Sequence, residues 1–143
     1  MEGADNMTNE ALILEAKKAR ERAYTPYSNF KVGAALLTKS GKIYHGCNIE
    51  NAAYTPTNCA ERTAFFKAVY DGEREFEKIA VVGAPDGMEA DELCAPCGVC
   101  RQVMMEFCNP DTFKIILANG KGKHLELTLK EMLPYGFGPD NLK

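Results

Sequence analysis

No apolar run in this 143-residue chain approaches the roughly 20 residues that a bilayer-spanning helix needs, which argues against a helical membrane protein. The first nine residues lack the basic start and apolar centre of an export signal, so the cytoplasm is the expected compartment. A basic surplus is also missing. With 17 Lys and Arg against 20 Asp and Glu, the net charge of -3 argues against gripping a long phosphate backbone. The one basic cluster, Lys17, Lys18, Arg20 and Arg22, is interrupted by Glu15 and Glu21 and reads as a solvated helix face with no partner. Low-complexity tracts and internal repeats are absent, which excludes disordered, fibrous and solenoid classes.

What is present is a composition 45% hydrophobic and 26% charged, typical of a folded globular chain of one-domain length, residues 1–143. Six cysteines in a secreted chain of this size would suggest disulfides. Without an export signal, reduced thiols, metal ligation or catalysis are the better readings.

Apolar residues at helical intervals over residues 8–23, with Thr8 as N-cap, predict a first helix. Residues 32–38 and 43–48, joined by Lys39-Ser40-Gly41-Lys42, predict a β-hairpin. A second helix follows over 59–70 and a buried strand over 78–84 (KIAVVGA). Residues 96–107 predict a third helix, with Val99, Val103, Met104 and Phe107 on one side. Strands at 113–118 and 124–127 are close enough in sequence to be antiparallel neighbours, and Thr128 with Glu131 forms a capping box for a last short helix. The order αββαβαββα predicts an α/β fold: a three-layer α/β/α domain on one mixed five-stranded sheet, with the helical crossovers favouring parallel pairing.

Cys97 and Cys100, two residues apart at a helix start, can converge on one ion. The pair alone would equally suit a redox dithiol or two small buried side chains. Cys59 sharpens it, because it stands at another helix start with Glu61 two positions on. Three ligands leave one tetrahedral position open to water, as in catalytic zinc sites, and zinc lowers the pKa of that water to about 7. Three thiolates with Zn²⁺ sum to a net negative charge, so a cation is needed nearby. Arg62 is expected to hydrogen-bond the thiolates of Cys59 and Cys97. Cys94, outside the predicted helix, reads as a spare thiol; Cys47 and Cys108 read as packing residues, and His45 and His124 as ordinary surface or edge residues.

Cys59-Ala60-Glu61 followed by Pro96-Cys97-Gly98-Val99-Cys100 resembles the zinc deaminase signature, with Cys in place of the commoner His. Together with Tyr27-Ser28-Asn29-Phe30-Lys31-Val32-Gly33-Ala34-Ala35 and Asn48-Ile49-Glu50-Asn51-Ala52, it is similar to the small homotetrameric cytidine deaminases, from the first helix to the C-terminus. The resemblance implies zinc-dependent hydrolytic deamination of cytidine and deoxycytidine in pyrimidine salvage. It implies one Zn²⁺ per chain on Cys59, Cys97 and Cys100, with Glu61 carrying protons. It also implies Asn48 and Glu50 on the ribose hydroxyls, Phe30 packed near the base, the backbone of Ala60 and Cys97 on the pyrimidine edge, and Phe137 lent to a neighbouring subunit's pocket. Tyr54 is a second candidate for such lending.

Three other readings stay open. A nucleoside-antibiotic deaminase shares the cysteine pattern. A structural zinc module would need a fourth ligand such as Cys94, and a thiol redox protein would use the cysteines differently. Editing of tRNA or DNA is disfavoured by the missing His and the missing basic surface.

Overall fold

The computed structural model describes residues 7–143; residues 1–6, part of the stretch read as lacking an export signal, lie outside the described residues. Helix α1 (Asn9–Arg20) begins where Thr8 accepts a hydrogen bond from Ala11 N, and its apolar residues Leu12, Ile13, Ala16 and Ala19 are buried. Strands β1 (Phe30–Thr38) and β2 (Ile43–Cys47) form the predicted antiparallel hairpin, in register from Gly33 opposite Cys47 to Leu37 opposite Ile43. Helix α2 (Ala60–Tyr70), strand β3 (Phe76–Pro85), helix α3 (Gly98–Phe107), strands β4 (Lys114–Ala118) and β5 (His124–Thr128), and helix α4 (Leu129–Met132) follow. A 3₁₀ turn, Pro139–Leu142, closes the described chain.

The sheet order is β2-β1-β3-β4-β5. The crossover through α3 joins the parallel neighbours β3 and β4, as expected. The crossover through α2 does not join neighbours: β1 lies between β2 and β3 and pairs antiparallel with both. The hairpin turn fixes β1 beside β2, so β3 has only the far edge of β1 on which to add, and it runs antiparallel there.

Alternation along the strands divides the core in two. Ala35, Leu37, Ala80, Val82 and Ile116 meet α1 on one face. Ala34, Leu36, Ile79, Val81, Ile115 and Leu117 meet Phe65 of α2, Met104 of α3 and Leu129 of α4 on the other. The three layers are therefore uneven, with one helix above the sheet and three below. Val99 is 57% exposed, and the buried residues of α3 are Cys100 and Met104.

Arg20 departs from the expected solvated face. Its guanidinium turns under the helix and donates to the carbonyls of Lys31 (3.1 Å), Ala84 (3.1 Å), Pro85 (2.6 Å) and Met88 (2.9 Å), tying α1 to the ends of β1 and β3. Glycine makes the close packing possible. A Cβ on Gly33 would fall 2.8 Å from Arg20 Cα on one face, and one on Gly46 would fall 2.7 Å from Ala64 N on the other.

Candidate active site

Cys59 and Cys97 are the N-cap residues of α2 and α3, both with extended backbone and neither with a side-chain cap bond. Each thiol is thus free to point beyond its helix end, where unpaired N–H groups and the positive dipole end favour a thiolate. Cys100, one turn into α3, completes the group. The three sulfurs all lie within 4.8 Å of one another, and Cys59 Sγ is 3.8 Å from Cys97 Sγ. Two thiolates bound tetrahedrally to one zinc at a Zn–S length of about 2.3 Å would stand about 3.8 Å apart. The donor set and spacing fit that ion. Among the described residues this is the one group of three or more such side chains placed to hold a metal ion.

Hydrogen bonding from the Cys100 thiol, reinforced by Arg62 and Cys97 and opposed by burial, draws the Cys59 thiol down to about 5. Cys100, which shares that proton, is held high by the same contact and by burial. Arg62 Nη2 donates to Cys59 Sγ at 3.3 Å. Cys59 is the one sulfur it bonds; the expected second, Cys97, faces outward, and the buried Cys100 sulfur favours the guanidinium's charge. Burial works against the Arg62 charge, yet the two sulfurs outweigh it and hold the guanidinium protonated.

Glu61, in the first turn of α2, is 4% exposed. Burial, aided by the charge of Cys59 and opposed by Arg62 and Cys100, pushes its carboxyl up to about 7. A carboxyl in that range holds or releases a proton near neutral pH, as a general acid–base requires. Cys94 stands outside the sulfur group, and burial pushes its thiol up to about 11. It packs instead: a Cβ on Gly83 would fall 2.9 Å from Cys94 Sγ and 3.0 Å from the Phe30 ring, so both side chains close over that bare strand position.

Asn48 and Glu50 brace the segment that leads into β1. Asn48 Oδ1 accepts from Val32 N (2.9 Å) and its Nδ2 donates to Phe30 O (2.9 Å), fixing the start of β1. Glu50 Oε1 accepts from Tyr27 N (3.0 Å) and Ser28 N (3.1 Å), and its Oε2 accepts from the Ser28 hydroxyl. The Ser28 hydroxyl, with those backbone donors and against slight burial, holds the Glu50 carboxyl below the usual carboxylate range. Both side chains keep unused capacity: one Asn48 donor and a carboxylate lone pair on Glu50. Ser28 and Gly83 were not singled out from the sequence. The signal for Gly83 was a glycine inside an otherwise branched strand.

Phe30, Tyr27, Tyr54 and Phe137 are among eight aromatic side chains at least 39% exposed, with Tyr24, Phe66, Tyr70 and Tyr135. Tyr27 and Tyr54 meet edge to face at 6.3 Å, and Tyr54 has φ of 66°, a left-handed backbone that is costly for a bulky residue. The Phe137 carbonyl accepts from Gln102 Nε2 at 2.7 Å, while the ring itself is 56% exposed.

Residues 6–116 match the family described as the cytidine and deoxycytidylate deaminase zinc-binding region. A cytidine deaminase of Sporosarcina psychrophila is 56% identical over 136 residues, covering 95% of this chain and 96% of that protein. A crystal structure of cytidine deaminase from Burkholderia pseudomallei superposes with a TM-score of 0.84 at 53% identity, covering 92% of this chain and all of that one. A blasticidin-S deaminase of Bacillus cereus is 37% identical over 134 residues, covering 90% of this chain and 93% of that protein.

Proposed function

The chain belongs to the cytidine and deoxycytidylate deaminase family, and from that premise we propose that it hydrolyses the C4 amino group of cytidine and deoxycytidine, releasing ammonia and the corresponding uridines for pyrimidine salvage. The observation that carries this reading is the convergence of three thiols, one guanidinium and one buried carboxyl at two helix ends. Cys59, Cys97 and Cys100 hold one zinc per chain, which when bound supplies the Lewis acidity that makes water nucleophilic at neutral pH. Glu61 takes one proton from the water that attacks C4 and gives it to N3 of the base, then takes the second from the new C4 hydroxyl and passes it to the amine as the C–N bond breaks and ammonia leaves; its carboxyl at about 7 suits both directions of transfer. Arg62 offsets the thiolate charge. Asn48 and Glu50 direct their remaining capacity to the ribose hydroxyls, Phe30 packs against the base, and the backbone of Ala60 and Cys97 meets the pyrimidine edge.

The exposure of Tyr54 and Phe137 supports a homotetramer in which these rings complete the pockets of neighbouring copies. Residues 1–143 act as one catalytic domain on a neutral nucleoside. Among the described residues no helix is long and apolar enough to cross a membrane, and we place the activity in the cytoplasm.

The test is loss of ultraviolet absorbance on adding cytidine to the native chain and to Glu61→Gln, with zinc measured on both. Deamination by the native chain, and a loss of at least about 10²-fold in a variant that keeps its zinc, supports the reading. A zinc-loaded native chain inert to cytidine and deoxycytidine refutes it. Turnover of blasticidin S in that case would favour the antibiotic reading, to which the Bacillus cereus relative points.

A further inference from the structure

Beside the stretch of α2 that carries Thr63 and Lys67, and lined by none of the three clustered cysteines, a cavity of about 390 Å³ lies along the free edge of β2. Three elements line it: Lys18 and Arg22 from α1 and the turn after it, His45 and Cys47 from β2, and Thr63 and Lys67 from α2. Three fixed positive charges therefore converge in a chain whose net charge is -3, and among the described residues no carboxylate lines the cavity. Two of the lining residues, Lys18 (3.1 Å) and His45 (2.8 Å), engage Glu15, which is not itself in the lining. Among the described residues Arg22 has no carboxylate partner, and Lys67 Nζ donates only to the carbonyl of His45. Arg22 and Lys67 line the same cavity as the half-buried Cys47 thiol, from two different elements.

Protecting a sheet edge from pairing with another chain takes one well-placed lysine, and Lys67 over β2 suffices for that. Arg22 and Lys18 add charge that edge protection does not require. They also repel Lys67, a cost that an anion between them would reverse. Guanidinium and ammonium groups approaching from different elements suit an oxyanion with several negative oxygens, and the volume exceeds that of a single phosphate.

We propose that this cavity binds a di- or polyphosphate chain, free or carried by a nucleotide, at a site separate from the nucleoside pocket. The zinc-loaded protein is titrated calorimetrically with inorganic pyrophosphate and, separately, with cytidine triphosphate, and zinc content is followed throughout because both anions chelate metals. Saturable binding at constant zinc is expected, weakened about tenfold or more by Arg22→Gln and by Lys67→Gln, and unchanged by Arg74→Gln, a cation elsewhere on the surface. Equal affinity for the two probes identifies the free anion as the ligand; tighter binding of the triphosphate identifies a nucleotide. Absence of saturable binding, or equal weakening by all three substitutions, overturns the proposal and leaves the cluster as an edge guard.

Discussion

Gly46→Ala should damage the active site from the strand beneath it. A Cβ at this position overlaps the Ala60 carbonyl oxygen and lies 2.7 Å from Ala64 N and 3.0 Å from Ala64 Cβ. Heavy atoms in contact prefer about 3.5 Å, so the first turn of α2 must retreat from β2 by about 1 Å or more to clear the Ala60 carbonyl. That turn is backbone against backbone, with no side chain to rotate away. It also carries Glu61 and Arg62 and starts at Cys59. Overpacking of this kind costs about 1–3 kcal/mol, a fall in Tm of about 3–9 °C for a chain of this length. Misplacing the reacting groups by about 1 Å should lower kcat/KM by about 10²-fold, with weaker zinc retention as the 3.8 Å Cys59–Cys97 spacing opens. Calorimetry, zinc analysis and cytidine turnover measure the three. Gly33→Ala separates the causes, because it crowds α1 at Arg20 on the other face and should lower Tm comparably while zinc is retained. Gly98→Ala meets nothing within 4 Å and should leave Tm intact. Wild-type Tm in Gly46→Ala, or a lowered Tm with full zinc and full turnover, would refute the reasoning.

Arg62→Gln removes the donor to Cys59 and should weaken zinc affinity about 10–100-fold, read by competition with a chromophoric chelator; unchanged affinity would remove Arg62 from the metal's support. Thr128→Ala breaks the capping box of α4, in which Thr128 Oγ accepts from Glu131 N at 3.1 Å and Glu131 Oε1 accepts from Thr128 N at 2.8 Å. It should cost about 1 kcal/mol with kcat unaltered, since α4 holds none of the reacting groups. Glu50 has a folded pKa below its ordinary 4.5, so its latch on Tyr27 and Ser28 stabilises fully above that value and is lost as pH falls through the depressed one. The Tm difference between the native chain and Glu50→Gln should be constant from neutral pH down to about 4.5 and shrink only below it; a difference that collapses near pH 6 would contradict the assignment.

Elements with strong local signals were readable from the sequence. Thr8 and the Thr128–Glu131 box marked helix starts, the Lys39–Lys42 turn marked the hairpin, and the run KIAVVGA marked a strand covered on both faces. What local patterns do not encode is which strand an incoming one joins. The position of β3 beside β1 follows from edge availability in the assembled sheet, a non-local fact. The same limit governs the site. Spacing grouped Cys97 with Cys100 and set Glu61 beside Cys59, but which sulfurs Arg62 reaches depends on how α2 and α3 face each other. Arg20 shows the reverse error: its charge neighbours suggested solvent, whereas four carbonyls left open at strand ends drew it inward.

The helix starts themselves distinguish structure from chemistry. Thr8 and Thr128 each accept a hydrogen bond from the third helical N–H, while Cys59 and Cys97 cap α2 and α3 with no side-chain bond. Replacing a capping hydroxyl with a group that cannot cap costs about 1 kcal/mol, and the chain bears that cost at the two starts that face each other. The return is electrostatic: uncapped N–H groups and the dipole ends remain available to thiolates. Burial is the main cause that raises Glu61, and the charge of Cys59 adds to it. A Cys59→Ser exchange that supplied a capping hydroxyl should therefore stabilise α2 locally, yet forfeit zinc, while the Glu61 carboxyl, still buried, stays raised. A rise in Tm of the zinc-free protein alongside loss of zinc binding would show that stability and chemistry compete at this one residue; a lower zinc-free Tm would show that they do not.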